Sequence, residues 1–321
     1  MAFTPSASAS VEERSAFVSP PPDYHNRRKA RARVPYYFVL PAVLVLALIG
    51  IFPFFYAIFM SMRSLNLLDP SNDRMVWLLN FVRLAQDERA WHSLLITLFY
   101  TVGAIVLEVV LGLAISLLLN RDFRGRALVR GLLLIPIVMT PVVVGLLWRI
   151  FYDPSAGIIN YVLGQIGLGS QHDWLGNIHT ALGALIVTDV WQWTPFVILI
   201  TMAGLESLPQ EPFEAAYIDG ASKWQAFIYV TLPLLRRTLA VALILRTIDC
   251  LKTFDTIYVM TQGGPGLATE TANLYAYIQG FNYFDVSYAT AFALVFTIVL
   301  TIVVTTLVRK FVFVKQVEEG A

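Results

Sequence analysis

The chain has 321 residues, 57% of them hydrophobic and only 14% charged, where a soluble globular protein has about 25% charged residues. So little polar surface cannot cover a soluble protein of this size, and the composition assigns the chain to lipid. The net charge of +1 gives no argument for a nucleic-acid partner.

Residues 1–35 combine Ser, Pro, Ala and charge. The run Ser19-Pro20-Pro21-Pro22 blocks regular structure, and Arg27-Arg28-Lys29-Ala30-Arg31-Ala32-Arg33 follows it. A disordered tail is expected here, ending either in a basic collar at the membrane surface or in a plain solvated charge cluster. A bilayer core needs about 20 apolar helical residues, and six segments supply them: roughly 35–62, 93–119, 131–151, 179–205, 238–260 and 286–308. Their apolar runs are continuous rather than alternating, and only helices or closed barrels satisfy the backbone in lipid. The expected fold is an all-α integral membrane protein with six transmembrane helices. Residues 36–313 would form the membrane domain, and 314–321 a cytoplasmic C-terminal tail.

Lys and Arg set the orientation. Sixteen of them fall on the side of the two termini, in the tail, the loop from Arg121 to Arg130, the loop around Lys223, Arg236 and Arg237, and the end at Arg309, Lys310 and Lys315. The other side holds Arg63, Arg74, Arg83 and Arg89, interleaved with Asp69, Asp73, Asp87 and Glu88, as in an external amphipathic element. Both termini are therefore expected in the cytoplasm.

Cys250 is the single cysteine, so no intrachain disulfide forms. His25, His92, His172 and His179 keep no metal-ligand spacing, and no metal site is expected. None of the five lysines follows a glycine, which excludes a Walker A loop. A nucleophile-elbow serine is also absent, so no catalytic residue or enzyme activity is expected. The first apolar run is too long for a signal-peptide core.

Loop 206–237 is the most informative. Ser207 is a candidate N-cap, Pro209 an early helical residue and Gln210 a capping-box partner. Ala215 and Ala216 give a surface of low bulk, and Gly220 suits a left-handed residue after a helix. A second short helix is expected from Ser222, stopping before Leu232-Pro233. Periodicity leaves two readings: a helical hairpin that seats in another protein, or an ordinary connecting loop.

The run Glu214-Ala215-Ala216, Asp219-Gly220-Ala221 and Leu232-Pro233 resembles the EAA loop of ABC importer permeases. The stretch Phe254 to Pro265 with Thr269-Glu270-Thr271, and Asn80-Phe81 leading to Trp91 through Thr97, are similar to the carbohydrate branch, typified by maltose and glycerol-phosphate permeases of MetI-like fold. The resemblance covers about residues 36–313. It implies a bacterial or archaeal inner-membrane subunit that forms half of a sugar or polyol pathway by alternating access. Glu214, Ala215, Ala216, Asp219, Gly220, Ala221 and Pro233 would then belong to the contact with an ATPase. The implied partners are a second permease, two ATPase subunits that bind the ATP, so that this chain needs no cofactor, and an external solute-binding protein. Glycerol-phosphate or another non-sugar solute is the alternative cargo. A secondary transporter fits less well, because it has no use for such a loop.

Charges within spans cost a few kcal/mol each on insertion scales and face a partner or a cavity. Arg246, Asp249, Lys252 and Asp255 recur every third residue. By the resemblance, the sugar-contacting positions fall near Arg246, Asp249, Cys250 and Thr253. These side chains either bond substrate hydroxyls or form a structural charge ladder between helices, with i,i+3 ion pairs also open to them. Trp191 and Trp193, with Asp189 and Gln192, form either a stacking wall for a sugar ring or interface anchors. Glu108 is expected to hydrogen-bond between helices and Arg149 to snorkel outward. Gly263-Gly264-Pro265 makes a tight external turn, either touching the binding protein or only turning the chain.

Overall fold

The computed structural model describes residues 39–121, 123–169 and 171–313, so the expected tails 1–35 and 314–321 lie outside the described residues. Among the described residues all regular elements are helices, apart from an isolated bridge between Arg63 and Met75. The chain divides into two compact units, Met1–Tyr56 and Ala57–Ala321. In the first, the described part is helical, with a π turn at Ala47–Ile51 and exposed Leu, Val and Phe side chains around its circumference.

Helix α1, Val39–Ser61, begins in that unit and is apolar enough to span a bilayer. The second unit continues with α2, Leu79–Ala85, and α3, Glu88–Leu119. Then come α4, Arg126–Val138, and α5, Pro141–Phe151, followed by α6, Ile158–Gln165, and α7, Ala181–Glu206. The hairpin helix α8 is Glu211–Ile218, and α9 runs Lys223–Lys252. Two short helices, α10, Asp255–Met260, and α11, Ala272–Tyr277, precede α12, Val286–Phe311. Five of these helices are long and apolar enough to span a bilayer, and the bent pair α4 and α5 passes the same test when taken together.

Two expected spans are revised. The third is not continuous over 131–151, because α4 and α5 meet at a bend of 100°. Pro136 and Pro141 lack an amide hydrogen, and Met139 and Thr140 are extended between them, with ψ of 142° and 145°. The fifth begins earlier and ends earlier than 238–260. The helix that starts at Lys223 does not stop before Leu232-Pro233. It passes through a π turn at Phe227–Thr231, and that slip of register absorbs the bond Pro233 cannot make. At Thr253 the backbone turns extended, with ψ 129°, so Asp255 opens a separate helix.

Small residues let the spans approach closely. A Cβ on Gly112 of α3 would lie 2.6 Å from Cγ1 of Val197 on α7, and one on Gly204 of α7 would lie 2.7 Å from Cγ2 of Thr238 on α9. Leu119, Ile198 and Met202 form a small buried cluster on α3 and α7, and Tyr100, Ala104, Val144, Trp148 and Leu185 belong to a separate buried core.

The four expected outer cations do not all pair locally. Arg63 makes a two-bond fork to Asp73 at 2.9 and 2.6 Å, as expected of one element. Arg83 instead reaches Asp285 at 2.7 Å, and Arg89 reaches Glu270 at 2.9 and 2.7 Å. Asp87 caps α3, accepting from the amides of Arg89 and Ala90, and also accepts from the hydroxyls of Tyr275 and Tyr288. Burial pushes this carboxyl up, but the two tyrosine hydrogen bonds and the capping amides outweigh burial and hold it below the ordinary 3.8.

Candidate functional site

Three spans meet at a cluster of charge. Arg246 of α9 is 1% exposed, Glu108 of α3 is 0% and Asp189 of α7 is 3%. The Arg246 guanidinium donates from Nε to Glu108 Oε2 at 2.7 Å and from Nη2 to Oε1 at 2.8 Å. Nη2 also donates to Asp189 Oδ2 at 2.7 Å and to Cys250 Sγ at 3.1 Å. A buried fork of this kind satisfies both carboxylate oxygens and carries geometry as well as energy. Ligand-type atoms of Glu108, Asp189 and Cys250 lie within 4.8 Å of one another. Each accepts from Arg246, so the guanidinium takes the place a cation would occupy.

Beside the cluster opens a pocket of about 240 Å3, lined by Asp249, Lys252, Thr253, Asp255 and Trp193, with Arg246 at its base. The Arg246 carbon Cζ lies 4.7 Å from the Trp193 ring centre, a cation–π contact. Asp249 is half exposed. It stands 3.9 Å from Arg246 Nη1 and 4.0 Å from Lys252 Nζ, so the i,i+3 pairs exist within the helix but are loose. They end at Lys252, where the helix ends. Thr253 donates to the Asp249 carbonyl at 3.1 Å.

The sequence-derived pathway residues therefore separate into two groups. Asp249, Thr253 and Trp193 face the pocket, whereas Cys250 is buried and Arg246 is engaged by the acids beneath. Trp191 does not join Trp193 in one wall. Two residues apart on a helix they point to nearly opposite sides, and Trp191 packs edge-on against Trp148 at 5.7 Å. Gln192 ties α7 to the break in the third span, donating to the Met139 carbonyl at 3.1 Å. Glu108 does hydrogen-bond between helices, accepting twice from Arg246 of α9. Sequence reasoning missed Lys252 as a pocket residue. It also missed the joining of Glu108, Asp189 and Arg246, for which one intramembrane cation and two acids were the available signal. Arg149 is exposed and donates to the Val259 carbonyl at 3.4 Å.

The second element is the hairpin. Gln210, not Ser207, precedes α8, and Pro212 sits in its first turn. Ser207 ends α7 instead, its hydroxyl donating to the Gly204 carbonyl at 2.8 Å. Gly220 has φ of +77°, and the Ala221 amide donates back to the Ala216 carbonyl at 2.9 Å. This left-handed closure needs glycine. Ser222 and Gln225 then form a full capping box that starts α9. Glu214, Ala215, Asp219 and Gly220 are exposed, and so is Ile218, at 86%. Pro233 lies beyond the hairpin, in the first turn after the π slip.

At the Gly-Gly-Pro turn Gly263 has φ of +91° and is buried, and Gly264–Pro265 is a cis peptide. The Thr269 hydroxyl donates to the Gly264 carbonyl at 2.7 Å, so the turn is fastened to the body of the protein.

Fold and site together define a polytopic helical membrane protein with a charge cluster locking its spans and a helical hairpin left uncovered. The family model described as "Binding-protein-dependent transport system inner membrane component" matches residues 90–313, and the chain belongs to that family. The probable ABC transporter permease protein y4oQ of Sinorhizobium fredii is 40% identical over 266 residues, covering 83% of this chain and 85% of its own length. The trehalose/maltose transport system permease protein MalF of Thermococcus litoralis is 38% identical, covering 79% and 84%. The sulfoquinovosyl glycerol transport system permease protein SmoG of Agrobacterium fabrum is 34% identical, covering 78% and 81%. Among solved structures, a chain of a bacterial ABC transporter that imports the acidic polysaccharide alginate superposes with a TM-score of 0.78 at 21% identity, covering 91% of this chain and all of that one. At that identity the likeness concerns the fold.

Proposed function

We propose that the chain is the permease subunit of an ATP-driven importer for a sugar, a di- or oligosaccharide, or a polyol, and that it forms half of the pathway by alternating access. The observation that carries this reading is the hairpin closed at Gly220. It exposes Ile218 and a low-bulk face around Ala215 where a motor subunit would grip. In this reading segment 206–237 lies in the cytoplasm with both termini and docks on one of two ATPase subunits. These bind the ATP, and the chain itself carries no enzymatic step. A second permease completes the pathway, and an external binding protein delivers the solute. The carbohydrate cargo is supported by relatives named for trehalose, maltose and sulfoquinovosyl glycerol transport. Asp249, Thr253 and Trp193 are the side chains proposed to meet the solute, with Arg246 bracing Asp249 from below. ATP and solute each favour one of two states of the assembly.

The test is uptake of radiolabelled trehalose, maltose and polyols into proteoliposomes that hold the assembled transporter, its binding protein and internal ATP. ATP-dependent accumulation, lost in a Gly220→Val variant along with the ATPase subunit, is the expected result. Accumulation driven by an ion gradient without ATP would refute the reading.

A further inference from the structure

A second cavity lies away from the charge cluster, between the last half of α3 and the hairpin. It measures about 810 Å3. Val110, Leu113 and Leu117 of α3 supply one wall, spaced to lie on one helix face. From Val110 to Arg121 the chain rises about 16 Å at helical pitch, close to the depth of one leaflet, about half of a 30 Å hydrocarbon core. The apolar wall therefore ends in a cation, Arg121, just past the end of α3. On the hairpin side Lys223 also lines the cavity, with Tyr217 and Trp224 beside it.

No acidic side chain among the described residues lines this cavity. Arg121 and Lys223 form no ion pair with a carboxylate among the described residues, whereas nearby Arg126 and Arg130 are held by Glu206 at 3.5 and 3.1 Å. We propose that the cavity binds an anionic phospholipid. Its phosphate lies between Arg121 and Lys223, its acyl chains run along the α3 wall, and Tyr217 and Trp224 sit at headgroup level. A free phosphate would leave the leaflet-long apolar wall bare, and a zwitterionic lipid would bring an ammonium group of its own beside the two cations. Because Lys223 and Trp224 belong to the start of α9, the bound lipid braces the hairpin against α3. The inference does not depend on the identity of the transported solute.

The test uses the assembled transporter, delipidated and then returned to nanodiscs of phosphatidylglycerol or phosphatidylcholine. Retained lipid is read by native mass spectrometry. Phosphatidylglycerol is expected to be retained over phosphatidylcholine. The double variant Arg121→Gln/Lys223→Gln should lose at least about tenfold of that retention, given roughly 1 kcal/mol per basic residue. The exchange Arg121→Lys/Lys223→Arg should keep it, and Arg124→Gln should leave it unchanged. Equal retention of the two lipids, or undiminished retention in the double variant, would overturn the proposal. So would displacement by soluble glycerol phosphate at matched concentration, or photo-cross-linking from position 117 to a protein subunit instead of lipid.

Discussion

Arg246 and Glu108, 138 residues apart in the chain, close a buried two-bond fork at 2.7 and 2.8 Å that joins the last third of α9 to α3. Asp189 shares the same guanidinium from α7, so one side chain fastens three spans. Removing one partner of a buried pair leaves an uncompensated charge, at a cost of about 3–5 kcal/mol. Arg246→Met strands two carboxylates and is expected to reach that range. Glu108→Gln leaves Arg246 its bond to Asp189, so its loss should resemble that of a charged hydrogen bond, about 1.5–3 kcal/mol. Thermal unfolding of the assembled complex in nanodiscs measures both. Equal losses would show that Asp189 does not support the guanidinium.

Trp191 and Trp193 are separated by one residue yet serve different surfaces. Trp191→Ala should open a cavity against Trp148 and, since the ring is only partly buried, lower stability by less than the cost of a fully buried tryptophan, about 3–5 kcal/mol, with the transport KM of surviving protein unchanged. Trp193→Ala removes the ring over Arg246 at the pocket and should raise the transport KM severalfold with a smaller shift in unfolding temperature. Initial uptake rates across solute concentrations, paired with melting curves, distinguish the two, and a reversed pattern would refute the assignment.

What the sequence carried and what it did not follows from range. The spans were legible because lipid demands about 20 apolar residues in a row. The hairpin was legible because Gly220 and the helix start near Ser222 are local signals, although the capping box forms at Ser222–Gln225 and not at Ser207–Gln210. The bend between α4 and α5 was missed although Pro136 and Pro141 stand in plain view, because the hydropathy of the segment continues across them. The i,i+3 spacing of Arg246, Asp249 and Lys252 suggested partners on the same helix. The real partners of Arg246, Glu108 and Asp189, come from other spans, and no local pattern encodes which helix lies opposite. The same holds for Arg89, whose carboxylate partner Glu270 is 181 residues away.

The φ of +77° at Gly220 is a backbone requirement and not a packing one, since a Cβ there would meet nothing within 4 Å. An L-residue pays about 1–2 kcal/mol in that conformation. Gly220→Val should therefore loosen the hairpin without disturbing the spans. Gly220→Asn should be milder, because asparagine tolerates the left-handed region. The expected result is a folded, membrane-inserted Val variant that retains less ATPase subunit through purification, with the Asn variant between it and wild type. Undiminished retention in the Val variant would mean that the hairpin end does not form the docking contact.

Asp87 gives the N-terminal end of α3 an acid dependence. Its carboxyl is held below the ordinary 3.8 because the hydrogen bonds from Tyr275, Tyr288 and the capping amides outweigh burial. The folded value lies under the unfolded one, so the contribution to stability is complete above about 3.8 and is lost as pH falls through the lower folded value. Between pH 7 and 5 this group should contribute no change. Asp87→Asn keeps an N-cap acceptor but offers the two tyrosine hydroxyls only a neutral oxygen, so the variant should melt lower than wild type at pH 7. As pH falls below about 3.8, wild type should lose stability faster than the variant, and the two curves should converge. Melting temperatures of both proteins from pH 7 to 3 measure this. A gap that already closes between pH 7 and 5 would assign the dependence to a different group.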